Sequence, residues 1–246
     1  MKPIVTLLSD FFNFRRRSNE IRDEMIANLP IDLLASESPI TLKEQADSLM
    51  ALMEFHEYVC KVSHVESAVI AEILLLLRRC YGFKRHASGQ LFYVRATGIT
   101  KIVAKWIFHS PKPIYATLLY DLVRHTHLSR SYIRANYNFG IFCFVESVLS
   151  VDNRKELSES VLFVENRLKE AVAQDKLSVL YIKLAERLYD LRNAAGYANK
   201  EVVKSMAKET LSIDIDLAKK YLSDEPEIAN ALEAAAKNAL EICKEE

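Results

Sequence analysis

Few side chains in this sequence have both the type and the spacing that catalysis needs. His125 and His127 stand two residues apart in a segment that reads as a loop, and one such pair supplies only part of the ligand set a metal site uses. Cys60, Cys80, Cys143 and Cys243 are widely separated and form no CxxC pair, so buried reduced thiols fit them better than zinc. Only six histidines occur, most of them outside any acidic cluster, which leaves little from which to build an independent hydrolytic metal centre. No Walker A loop, GxSxG elbow, HExxH helix or dinucleotide fingerprint is present. Arg15, Arg16 and Arg17 follow Phe11, Phe12 and Phe14, a pattern that suits a membrane surface or an acidic partner, although a fraying terminal helix explains it more simply.

The bulk composition narrows the setting. The 33 basic and 33 acidic residues cancel, so nothing draws the chain as a whole to nucleic acid or to an anionic membrane. The most apolar stretch, Ala68 to Leu77, is too short to span a bilayer and contains Glu72. The charges near the N-terminus stand in the wrong order for a secretory signal. A cytoplasmic location without stable membrane insertion is the expectation.

With 5 Gly and 6 Pro in 246 residues, obligatory turns are scarce and sheet-rich folds are disfavoured. The pattern is helical throughout. In the N-terminal part, helices are predicted near Ser18–Ala27 and Leu42–Val62. Ser63 to Glu66 has the form of a capping box, opening a helix through Val69, Ile73 and Leu77 that Gly82 closes. Gly89 to Val94 is the one stretch that reads as extended. Ile99, Ile102, Val103 and Trp106 share a helical face, and Ser110-Pro111-Lys112-Pro113 starts the next helix. Shorter helices follow at Ser129–Asn136 and Phe139–Leu149. After a turn at Asp152-Asn153 come Lys155–Ala173, then Lys176–Asn193 capped by Asp175 and stopped by Gly196. Another helix spans Lys200–Tyr221, and a last one, opened by Asp224 to Glu227, runs to Cys243. The predicted architecture is all-α, a multi-helix bundle with an N-terminal helical extension over residues 1–62, a main body over 63–222 and a C-terminal helix over 223–246.

Five blocks of this sequence, in order, are similar to the hydrolase (HD) domain of the RelA/SpoT enzymes. Ser88 to Arg95 is similar to the family's SGEPYIxH. Ala116 to Thr126, with Tyr120-Asp121 inside it, resembles AALLHDVVEDT. Phe139-Gly140 with Val145 and Val148 looks like a third block, Tyr181 to Arg192 resembles IKLADRLHNMR, and Ala207 to Ile213 resembles ARETLEI. The resemblance covers about Val65 to Tyr221. It stops near the end of the chain, which implies a member without the synthetase and regulatory domains of the long enzymes.

In that family two His and two Asp hold a divalent metal, Mn2+, which activates water against the 3′-pyrophosphate of (p)ppGpp. Carried across residue by residue, the first His falls on Arg95 and the second on Tyr120. One Asp is kept as Asp121 and the other becomes Glu186. A Glu-Asp pair falls on Arg124 and His125, a nucleotide-contacting Asn on Asp190, and a base-clamping Arg nearest His86, with Arg85 one residue out of register. A guanidinium has no lone pair to give a metal, and tyrosine ligates only as phenolate. Arg95 is therefore expected to pair with Asp121, Glu186 or both, its charge taking the metal's place. Tyr120 and Tyr189 are expected to fill the emptied pocket as aromatic rings with a hydroxyl partner.

The resemblance thus implies a non-catalytic relative with no metal cofactor. One version binds a guanine nucleotide or other phosphate through Arg85, His86, Arg95, Arg124, Arg187 and Asp190. The other is an interaction module that pairs with itself or with a related protein. Against both stands a residual Mn2+-dependent 3′-pyrophosphohydrolase that uses Asp121 and Glu186. Arg124, His125 and His127 also suit an ordinary solvated surface, and Asp121 a helix–helix ion pair.

Overall fold

The structure, a computed structural model, describes residues 40–151, 156–158 and 171–244. The regular structure of these residues is helical, with one isolated antiparallel bridge between Arg85 and Leu91. The α-helices are α1 Leu42–Val62, α2 Ser67–Tyr81, α3 Phe92–Trp106, α4 Pro111–His125, α5 Arg130–Asn136, α6 Phe139–Leu149, α7 Ala171–Arg192, α8 Lys200–Glu209, α9 Ile215–Tyr221 and α10 Pro226–Ile242. No helix among the described residues is long and apolar enough to cross a membrane.

α4 is the central element. Ile114 to Leu122 are all buried, as expected of a helix enclosed on every side. It packs against α2, α3 and α6, while α7 lies along α3. α2 buries Ile70, Ile73, Leu74, Leu77 and Tyr81, one stripe at the spacing of a helical face. Gly82 ends it with φ of 56°, a backbone angle that other residues rarely adopt. α10 packs on α7, α8 and α9.

Several local expectations need correction. The capping box at Ser63 does not form: Ser63 instead ends α1, its N–H donating to the Val59 carbonyl. The Glu66 N–H at the start of α2 donates to the Tyr115 hydroxyl at 2.6 Å, so a long-range partner replaces the local one. Gly89 to Val94 is not a strand. The segment closes a tight loop in which His86 N–H donates to the Gln90 carbonyl at 2.8 Å, and helix α3 begins at Phe92. Asp175 is inside α7 and not at its cap. Lys200–Tyr221 is interrupted by a π-helical insertion at Thr210–Asp214. Its buried Thr210 donates to Asp214 Oδ2 at 3.0 Å; such single-turn insertions inside α-helices are rare. Ser18–Ala27, the Arg15–Arg17 run, the Asp152-Asn153 turn and most of Lys155–Ala173 lie outside the described residues.

Candidate functional site

Four helices converge on one buried cluster, with Tyr81 at the end of α2 among its members. α3 contributes Arg95 from its first turn, α4 contributes Tyr120, Asp121 and His125, and α7 contributes Lys183, Glu186 and Asp190. The last three are spaced by three and four residues, which puts them on one face. Arg95 lies at the centre, only 2% exposed. Its Nε and Nη2 donate to the two carboxylate oxygens of Asp190 at 2.8 and 2.7 Å, a bidentate fork. Nη1 reaches Asp121 Oδ1 and Nη2 reaches Glu186 Oε1, each at 3.3 Å. Both expected ion pairs of Arg95 are present, but its closest partner is Asp190, the position expected to contact nucleotide.

The rest of the cluster is arranged around these groups. Tyr81 Oη donates to Asp121 Oδ2 at 2.7 Å. Lys183, buried to 3% exposure, holds Nζ 3.7 Å from Glu186 Oε2 and 4.9 Å from the Tyr120 ring centroid. Three carboxylates therefore face the guanidinium of Arg95 and the amine of Lys183 in a largely buried region. Burial alone would favour neutral Arg95, yet Asp190, Glu186 and Asp121 outweigh it and hold the guanidinium charged.

The two tyrosines expected to fill the pocket behave differently. Tyr189 donates to Gln90 Oε1 at 2.9 Å. Tyr120 is fully buried, and its hydroxyl has no hydrogen-bond partner of good geometry among the described residues. Burial pushes its phenol well above the ordinary value, and Glu186 and Asp121 push it further, so the hydroxyl is a neutral phenol in this setting. Among the described residues, no group of three or more His, Cys, Asp or Glu side chains is placed to hold a metal ion. The donor set does not fit a divalent cation, because a permanent cation already occupies the point where the three carboxylates meet.

The remaining residues considered for phosphate binding do not converge on Arg95. Arg85 turns towards α1, where Nη1 meets Glu44 Oε1 at 2.6 Å. Arg187 points to the π insertion, donating to the Met206 carbonyl at 2.7 Å and to Glu209 at 2.5 Å, with Asp214 at 3.7 Å. Arg124 and His127 are exposed. His125 lies at the cluster's edge, its Nε2 3.8 Å from Asp121 Oδ1. His86 packs edge-on to Phe92 and Tyr197, and its Nδ1 accepts the Ser88 N–H at 3.2 Å. Two members were missing from the sequence-derived set. Lys183 was legible, three residues before Glu186. Tyr81 carried no signal beyond its place at the end of an apolar helix.

His86 makes a testable pH dependence. Burial, and then the charge of Arg95, push its pKa down to about 4. The unfolded chain takes up this proton near pH 6.5, whereas the folded chain resists it until about pH 4. The folded state binds fewer protons in that window, so this contribution is complete above pH 6.5 and is lost as the pH falls towards 4. At about 1.4 kcal/mol per pH unit the loss is of order 3 kcal/mol. Urea titrations at pH 7 and pH 4.5 check it: His86→Gln is expected to flatten the difference. Burial displaces His125 in the same direction.

In comparison with known families, residues 74–221 match the HD domain. A search of curated proteins finds no relative.

Proposed function

The chain belongs to the HD-domain family, and from that premise we propose that this domain is a catalytically silent relative of the (p)ppGpp hydrolases that acts as a protein-interaction module. The observation that carries the proposal is Arg95, 2% exposed and forked onto Asp190 while it also reaches Asp121 and Glu186. A divalent ion at those carboxylates would have to expel the guanidinium. Breaking a buried ion-pair network in that way costs about 3–5 kcal/mol before any metal binding compensates. Without the ion there is no Lewis acid to activate water or to orient a pyrophosphate.

The choice of an interaction role over a nucleotide in this pocket rests on how the cations are used. Arg85, Arg95 and Arg187 each hold a carboxylate of the protein itself, so a phosphate would have to displace an intramolecular partner at each. α1 meanwhile exposes Leu42, Leu49 and Met50; Leu42 and Leu49, seven residues apart, share one helical face, with Met50 at its edge. Such a face suits a second copy of the chain or a related HD protein.

The experiment pairs two readouts. Purified protein supplied with Mn2+ and ppGpp is expected to release no pyrophosphate above the level of Asp121→Ala, and its sedimentation is expected to show self-association or a complex with an active relative. Turnover that disappears in Asp121→Ala would overturn the proposal in favour of a residual 3′-pyrophosphohydrolase.

A further inference from the structure

A groove of about 500 Å³ lies away from the Arg95 cluster and shares no lining residue with it. Residues of α1, α3, α7 and the beginning of α10 enclose it. Trp106 and Tyr58 are its aromatic lining residues. Trp106 is tilted by 52° to Tyr181 at 6.3 Å between centroids. Around this surface stand three cations: Lys101 and Lys105, one turn apart on α3, and Arg192 at the end of α7. Lys101 has its Nζ 5.7 Å from the Tyr58 centroid. Lys105 and Arg192 make no ion pair or hydrogen bond with the described residues, in contrast to Arg85, Arg95 and Arg187. Two carboxylates share the lining: Glu225, which accepts a hydrogen bond from Tyr181, and Glu227, which is exposed.

We infer that this groove binds a small anion carrying a flat ring, of the nucleoside monophosphate class. Each part of that ligand answers a feature of the groove. Three cations against two carboxylates leave the lining with one positive charge in excess, and Arg192 offers the planar fork that grips phosphate through two oxygens. The indole face of Trp106 suits stacking by a heteroaromatic ring, which tolerates any base. Glu227, also in the lining, can accept from an amino or hydroxyl donor of the ligand. The volume lies in the range of about 300–1,000 Å³ typical of small-molecule sites. Bare phosphate would leave the aromatic surface unused, and an uncharged nucleoside would leave the cations unanswered. The site is independent of the Arg95 cluster, so the two proposals stand or fall separately.

Trp106 is the only tryptophan in the chain, so its fluorescence reports on the groove directly. Titration of the full chain with AMP or GMP is expected to quench it saturably, with an apparent affinity that weakens as salt is raised. Lys105→Glu and Arg192→Glu, both at exposed positions, are expected to weaken binding at least tenfold without changing the far-ultraviolet spectrum. Adenosine and ribose 5-phosphate, each carrying half of the recognition, are expected to bind at least tenfold more weakly than AMP. The proposal is overturned if AMP and GMP give no saturable quenching at millimolar concentration, or if quenching survives both charge reversals. It is equally overturned if inorganic phosphate, ribose 5-phosphate or a polyglutamate peptide competes as well as AMP, since the ring would then play no part.

Discussion

Arg95→Ala is expected to lower the unfolding free energy by about 3–5 kcal/mol, the cost of removing one partner from a buried ion-pair network. That is a large share of the roughly 5–15 kcal/mol by which a domain is stable. The magnitude follows from what is left behind. Asp121, Glu186 and Asp190 lose the guanidinium that separates them, and Lys183, 3.7 Å from Glu186, answers only one of the three. Arg95→Lys is expected to recover only part of the loss, because an ammonium has no planar fork with which to hold both oxygens of Asp190. Pairing Arg95→Met with Asp190→Leu is expected to be less costly than Arg95→Met alone, since the double change removes an orphaned charge together with its partner. Urea midpoints at neutral pH measure all of these. A loss below 1 kcal/mol for Arg95→Ala would mean that the carboxylates do not depend on it.

Gly98→Ala is the second large effect, and its sign is the informative part. In an open helix the substitution gains about 1 kcal/mol, because glycine is a poor helix former. Here a Cβ on Gly98 would stand 2.1 Å from Tyr189 Cε2, 2.5 Å from Cζ and 2.7 Å from Oη. The ring is anchored by the hydrogen bond from its hydroxyl to Gln90, so it cannot swing aside without losing that bond. Overpacking of this kind typically costs about 1–3 kcal/mol, which outweighs the propensity gain. A double-mutant cycle isolates the cause: in a Tyr189→Ala background, Gly98→Ala is expected to become neutral or stabilising. If it stays equally destabilising there, the clash is not with Tyr189.

Much of this was legible in the sequence where local chemistry decides the outcome. Pro111 and Pro113 start α4, Gly82 ends α2, and the apolar spacing sets the helices of the main body. Arg95 could not ligate a metal and had carboxylates as its expected neighbours, so its ion pairs followed. Legibility failed where a distant partner decides. Ser63 has a capping-box neighbour in sequence, but Tyr115 reaches in to take the Glu66 N–H. The π insertion depends on Asp214 and Thr210 becoming buried near Arg187, and no local pattern marks it. The direction of Arg187 away from Arg95 is legible: successive residues on a helix point about 100° apart, so with Glu186 on Arg95 the next side chain turns towards Met206 and Glu209. The fork of Arg95 onto Asp190 is not legible in the sequence, because a carried-over motif assigns a position without saying which side chain will meet it.

The most direct test of a protein-borne cation at this site is a crystal grown in excess Mn2+ and measured at the manganese absorption edge. The expected map shows the Arg95 guanidinium between Asp121, Glu186 and Asp190, with no anomalous peak among them. An anomalous peak bridging Asp121 and Glu186, with the Arg95 side chain displaced, would contradict it.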